Sequence, residues 1–93
     1  MRNLRKEARD RECQVRLISV CNQDDTTVVL AHVRLAGVTG VGMKAKDLLG
    51  SWACSECHRF QTDYPGDDQI QRAFLEGVIR TQDILIKEGK VKW

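Results

Sequence analysis

Leu48-Leu-Gly-Ser-Trp-Ala53, running straight into Cys54-Ser-Glu-Cys57-His58, is the stretch on which the fold of this chain turns. A short apolar run of this length reads as a buried strand. The Cys-x2-Cys after it is the commonest zinc knuckle, because a tight turn points both sulfurs at one tetrahedral ion. A helix is expected to open at Ser55 and to carry His58 and Arg59 on neighbouring positions. Upstream, Thr26-Thr-Val-Val-Leu-Ala-His-Val-Arg-Leu35 is dense in β-branched and apolar residues and predicts another buried strand, with His32 inside it. Between the strands, three glycines and two lysines mark residues 36 to 47 as a flexible loop. The order is therefore strand, glycine loop, strand, knuckle, helix.

The other two cysteines, Cys13 and Cys21, have the looser spacing Cys-x7-Cys. Val15 and Leu17 alternate with polar neighbours between them, which predicts a small hairpin with a sulfur at each end. Four thiolates leave a tetrahedral ion no open position, so Cys13, Cys21, Cys54 and Cys57 are read as the ligands of a structural Zn2+ that closes a small core. Disulfides or free buried thiols are the alternatives. The N-terminus is charged with no apolar segment behind it, and the apolar runs are far shorter than the roughly 20 residues of a membrane helix. A cytosolic chain without a membrane is the expectation, and a reducing cytosol favours metal over disulfide. Cys54-Ser-Glu-Cys57-His58 also satisfies the signature for covalent haem attachment, but that chemistry belongs to exported chains and would leave Cys13 and Cys21 without a role. Thioredoxin-like chemistry lacks its βαβ frame here.

The single proline, Pro65, sits in Tyr64-Pro-Gly-Asp-Asp68 and punctuates the chain. Beyond it a helix is predicted from Asp67 or Asp68 to Glu88, with a capping box reaching Gln71 and a stop at Gly89. Its apolar stripe is Ile70, Ala73, Phe74, Gly77, Val78, Thr81, Ile84 and Leu85, at three- and four-residue spacing. With 93 residues, 42% hydrophobic and 30% charged, residues 1–93 make one α+β domain: a small zinc-stapled β-hairpin core backed by one long C-terminal helix. A net charge of +2 does not by itself announce a nucleic-acid partner. Residues 1 to 16 hold six basic side chains against three acidic ones, a solvated face first and a phosphate track second. Trp52 and Trp93 are read as packing residues before base-stacking ones.

Leu30-Ala-His32, the glycine loop, Asp47 and Ala53-Cys-Ser-Glu-Cys-His58 together resemble the HNH endonuclease core, in which two strands and a helix surround a catalytic metal. Arg11-Glu-Cys-Gln-Val-Arg16, Val20-Cys-Asn22, Leu30-Ala-His-Val-Arg34, the knuckle, Thr81-Gln82 and Lys87-Glu-Gly89 are similar, more closely, to the phage and prophage YbcO nuclease family. The resemblance implies a ββα-metal centre with His32 as the base that activates water and His58 as ligand of a catalytic divalent cation, Mg2+ or Mn2+ before Zn2+. Asp47 stands where the HNH family has its central Asn and would orient His32. Arg34, Lys44, Lys46 and Arg59 lie near this centre in sequence and would hold phosphates. Two positions depart from the HNH pattern: Ala31 precedes the base where a metal ligand is common, and Thr62 stands four after His58, so Asp63, Asp47 or water must substitute. The implied activity is metal-dependent endonucleolytic cleavage of nucleic acid, DNA first, by a phage- or prophage-encoded protein in the bacterial host cytosol. The rival is a non-catalytic, zinc-stabilised module that binds nucleic acid or a phage protein. Monomer and homodimer are not distinguished by the sequence.

Overall fold

The computed structural model describes residues 4–33 and 47–91. The glycine loop, with Arg34, Lys44 and Lys46, and Trp93 lie outside the described residues. A one-turn helix α1 (Leu4–Glu7) leads through an irregular segment to β1 (Val29–His32). A 3-10 turn at Asp47–Leu49 enters β2 (Gly50–Ala53), followed at once by α2 (Ser55–Asp63) and then by α3 (Asp68–Lys87). The strands form a two-stranded antiparallel sheet in which Leu30 faces Trp52, Ala31 faces Ser51 and His32 faces Gly50. This is the expected α+β arrangement of a short hairpin and a long C-terminal helix.

β1 is shorter than its composition suggests, for a local reason. Asp24 caps a 3-10 turn at Asp25–Thr27 by accepting the Thr26 N–H at 3.0 Å, and this side-chain bond takes the backbone out of strand geometry. The expected hairpin between Cys13 and Cys21 does not form. Arg16 and Ser19 have φ of 55° and 64°, left-handed conformations that break a period of two, and Asp10 and Gln23 share that conformation. The segment is instead a loop wound around its cysteines.

α3 matches its periodicity closely. Phe74, Gly77, Val78, Thr81 and Leu85 are buried, with Ile70, Ala73 and Ile84 packed at the margin. Asp67 caps the helix by accepting the Ile70 N–H at 3.0 Å, while the Gln71 amide turns to the Pro65 carbonyl at 2.7 Å, so no reciprocal capping box is made. At the other end Gly89 (φ 72°) lets its own N–H reach the Ile86 carbonyl and that of Lys90 reach Leu85, the Schellman closure.

All four residues of β2 are buried beneath α3. The Trp52 N–H donates to the Thr81 hydroxyl at 3.0 Å and its carbonyl accepts from the Gln14 N–H at 2.7 Å, so the edge away from β1 is covered by α3 and by the cysteine loop. Trp52 is 1% exposed, a core residue with the Arg11 guanidinium 4.8 Å above its ring. Arg11 also forks onto Glu88 at 2.5 and 2.7 Å, and Lys90 pairs with Glu7, so the N-terminal segment is clamped to the end of α3. Among the described residues no helix is long and apolar enough to cross a membrane.

Candidate functional site

The four cysteines, 44 positions apart at their extremes, come together. Cys13 and Cys21 arrive on the irregular loop, Cys54 is the N-cap of α2 and Cys57 lies in its first turn. Their sulfurs all lie within 4.8 Å of one another, with Cys13 and Cys57 at 3.7 Å and Cys21 and Cys54 at 3.8 Å. Zn–S bonds of about 2.3 Å at tetrahedral angles put sulfurs about 3.8 Å apart, the spacing of these two pairs, and the remaining pairs exceed it by no more than about 1 Å. All four are free thiols. Backbone N–H groups of Arg16 and Cys57 point at the sulfurs of Cys13 and Cys54, each at 3.5 Å. Hydrogen bonding from Cys57 holds the Cys13 thiol down to about 4, and the same contact pushes Cys57 up, since one of the two carries the charge. Burial pushes Cys21 up to about 11. A dication relieves this conflict by letting all four be thiolates, and four sulfurs leave it no open position. The cluster can hold a metal ion such as zinc.

A second group assembles where β1 ends. His32 Nε2 lies 2.7 Å from Asp47 Oδ1, and the Arg5 guanidinium approaches the same oxygen at 3.4 Å. The side chains of His32 and Asp47 keep 22% and 38% of their surface exposed, so the pair is open to solvent. Hydrogen bonding to His32, aided by the charge of Arg5, holds the Asp47 carboxyl below the usual carboxylate range. A carboxylate accepting from Nε2–H leaves Nδ1 as the nitrogen that carries the lone pair. The arrangement can therefore accept a proton at Nδ1 and stabilise the imidazolium through Asp47.

His58 is half-buried in the first turn of α2, directly after Cys57 of the sulfur cluster, and its backbone N–H donates to the Cys54 carbonyl at 2.9 Å. One turn further, Gln61 donates to the His32 carbonyl at 3.0 Å, which sets this part of α2 against the end of β1. Among the described residues the cysteines are the one group of three or more Cys, His, Asp or Glu side chains close enough to share an ion, so His32, Asp47 and His58 do not close into another. Ala31 is fully buried in the core, facing away from the site. The Thr62 hydroxyl bonds back to the His58 carbonyl, and Asp63 pairs with Arg59 at 3.7 Å. Arg59 also has Glu56 at 3.8 Å, so this exposed cation has two carboxylates beside it. Arg5 and Gln61 were not legible as site residues. Arg5 is one of several basic residues near the N-terminus, and Gln61 signals only a shared helix face with Cys57, four positions earlier.

A family model described as "Putative nuclease YbcO" matches residues 2–90. This chain belongs to the YbcO family. Two YbcO relatives are each 47% identical over 95 residues, spanning 99% of this chain and 99% of their own length: "Putative nuclease YbcO" of Escherichia coli (strain K12) and "Putative nuclease ybcO" of Enterobacteria phage 82. A solved structure, "Structure of a putative bacteriophage protein from Escherichia coli str. K-12 substr. MG1655", shares 41% identity with a TM-score of 0.73, covering 94% of this chain and all of that one. The YbcO architecture thus spans nearly the whole chain, cysteine loop included, and its relatives occur in a phage and in a bacterium.

Proposed function

We propose that this YbcO-family chain is a metal-dependent endonuclease of the HNH type, with His32 as general base and Asp47 as the group that orients it. The single observation that carries the reading is the 2.7 Å bond between these side chains at the solvent-open end of β1. It is supported by the order β1, β2, α2, with Cys54 and Cys57 of the sulfur cluster at the start of α2, and by the nuclease names of the relatives. Hydrolysis of a phosphodiester begins with removal of a proton from water, and Nδ1 of His32 accepts it while Asp47 steadies the charge on the ring. The Arg5 guanidinium, 58% exposed beside Asp47, would hold phosphate oxygens, as would Arg59 on α2 once turned from Glu56 and Asp63. Among the described residues no second group of three or more ligands closes around an ion, so His58, with Asp47, Asp63 or water, would hold a catalytic Mg2+ or Mn2+, which would stabilise charge on the phosphate and the departing oxygen. The substrate is nucleic acid, DNA first.

The test is nicking of supercoiled plasmid by the zinc-loaded protein with Mg2+ or Mn2+. His32→Ala should lower the rate by about 10²- to 10⁴-fold, the usual contribution of a general base, and cutting that survives the substitution removes His32 from the mechanism. The second reading, a zinc-stabilised module that binds nucleic acid or a phage protein without cutting, is favoured by one observation: the position before His32 is an alanine buried in the core. Plasmid binding without nicking under every divalent cation selects it.

A further inference from the structure

We infer that Gln61 and Gln82 are positioning residues, two side-chain amides that hold the backbone on either side of the His32–Asp47 pair. The inference rests on the proposed nuclease reading for its effect on rate, and on geometry alone for the hydrogen bonds. His32 and Asp47 are 15 residues apart and come from different elements, so a 2.7 Å bond between them requires both backbones to be fixed. The strand ladder does only part of this. β1 ends at His32, after which a single bond from the Val33 N–H to the Leu49 carbonyl, 3.0 Å, continues the pairing.

Each helix supplies a further tie, one to each partner. From α2, Gln61 Nε2 donates to the carbonyl of His32 itself at 3.0 Å. From α3, Gln82 Nε2 donates at 2.7 Å to the carbonyl of Leu48, in the same 3-10 turn as Asp47. A carbonyl only accepts, which fixes the nitrogen of both amides toward the backbone. Gln61 keeps 7% of its surface exposed, and its Oε1 is buried without a partner among the described residues. An unpaired buried acceptor detracts from stability. A methionine of similar length would fill the same space, removing the orphaned Oε1 while leaving the His32 carbonyl without this donor, two effects of opposite sign on stability, so the effect specific to an amide at position 61 is where it places His32.

The experiment uses the full zinc-loaded chain with Gln61→Met and Gln82→Met, alone and in an Asp47→Asn background. Plasmid nicking with Mn2+ is read as kcat and KM, and the His32 Nε2–H proton is read by NMR. We expect Gln61→Met to melt within a few degrees of wild type, the lost bond to the His32 carbonyl offsetting removal of the orphaned Oε1, while kcat falls about ten- to a hundredfold, the scale of displacing a reacting group by about 1 Å. KM should stay within about twofold, the Nε2–H signal should broaden or vanish, and the loss of rate should largely disappear in the Asp47→Asn background, because sites acting through one network are not additive. Should Gln61→Met fail to fold, Gln82→Met on the outer side of α3 carries the same readouts. Wild-type kcat with an unchanged Nε2–H signal in the folded variants overturns the inference, as do equal losses with and without Asp47. If the wild type cuts nothing, the nuclease reading fails by itself, and the Nε2–H signal still decides: lost in the variants, the positioning holds; unchanged, it does not.

Discussion

Cys54 has two structural roles that a serine separates. Its sulfur is one of the four within 4.8 Å, and it caps α2 by accepting the Cys57 N–H. Serine is among the preferred N-cap residues, so Cys54→Ser preserves the cap and removes one of the four sulfurs that could hold a metal. A structural zinc contributes about 10–16 kcal/mol in small domains, whereas a chain of this size has a net stability of about 5–14 kcal/mol. Two features of the structure place this chain on the dependent side. Cys13, Cys54 and Cys57 are themselves part of the main core cluster. The loop that delivers Cys13 and Cys21 also has left-handed residues at Asp10, Arg16, Ser19 and Gln23, each strained by roughly 1–2 kcal/mol. Losing even a third of the metal contribution, about 3–5 kcal/mol, lowers the melting temperature by more than about 12 °C at this size. Metal analysis of purified protein should find about one tightly held zinc per chain, and thermal circular dichroism should show the drop both for Cys54→Ser and for wild type in a strong chelator. A folded wild type without metal, indifferent to chelation, refutes the argument. So does a Cys54→Ser variant that melts within a few degrees of wild type.

Other consequences follow from individual contacts. Adding a methyl at Gly77 would place it 3.0 Å from Ser51 Cβ and Val15 Cγ2; overpacking of about 1–3 kcal/mol outweighs roughly 1 kcal/mol of helix propensity, so Gly77→Ala should lower the urea midpoint, and a raised midpoint counts against it. Arg11 holds the Glu88 carboxyl down to about 2, below the 4.5 of an unpaired glutamate. A depressed folded-state value stabilises the fold above pH 4.5 and is lost as the pH falls toward 2, so Glu88→Gln should flatten the acid limb of the stability curve in that window. Parallel acid limbs for wild type and variant would remove the clamp from the account. Ala31→Asp, proposed as a way to restore an HNH-like ligand, should instead destabilise the fold by several kcal/mol, because position 31 is fully buried; tighter Mn2+ binding at wild-type stability would show that the side chain reaches the site.

Legibility in the sequence followed the range of the interactions. α3 was readable almost to the residue, since a 3.6-residue stripe, an Asp cap and a terminal glycine are all local signals. The two strands were readable as elements but not in length, because the Asp24 side chain takes the residues before Val29 into a turn. The hairpin expected between Cys13 and Cys21 failed because nothing in the alternation of Val15 and Leu17 reveals that Arg16 and Ser19 turn left-handed around a cluster of sulfurs. Meeting of the four cysteines was legible through the Cys-x2-Cys knuckle and metal chemistry. The pairing of Asp47 with His32 came from the HNH resemblance, not from spacing. Arg5, Gln61 and Gln82 make their contacts across 42, 29 and 34 positions, and no local pattern encodes such reach.

The core of β1 explains why His32, the base in the proposed reading, lacks a ligand beside it. Strand alternation turns Ala31 inward, where it has no exposed surface, and leaves His32 partly open on the other face. A ligand at position 31 would have to come out of a core that also contains Cys13, Cys54 and Cys57. Among the described residues, a cation proposed to work beside His32 would be approached from the Asp47 turn or from α2, through His58. With a zinc ion in the sulfur cluster, the second route would make the two ions interdependent, because His58 follows Cys57 directly and both Cys54 and Cys57 sit at the start of α2. Stripping zinc would displace His58 even with the His32–Asp47 bond intact. Chelation alone therefore cannot assign a catalytic role to Mg2+ or Mn2+; the discriminating experiment adds either ion to protein whose zinc has never been removed.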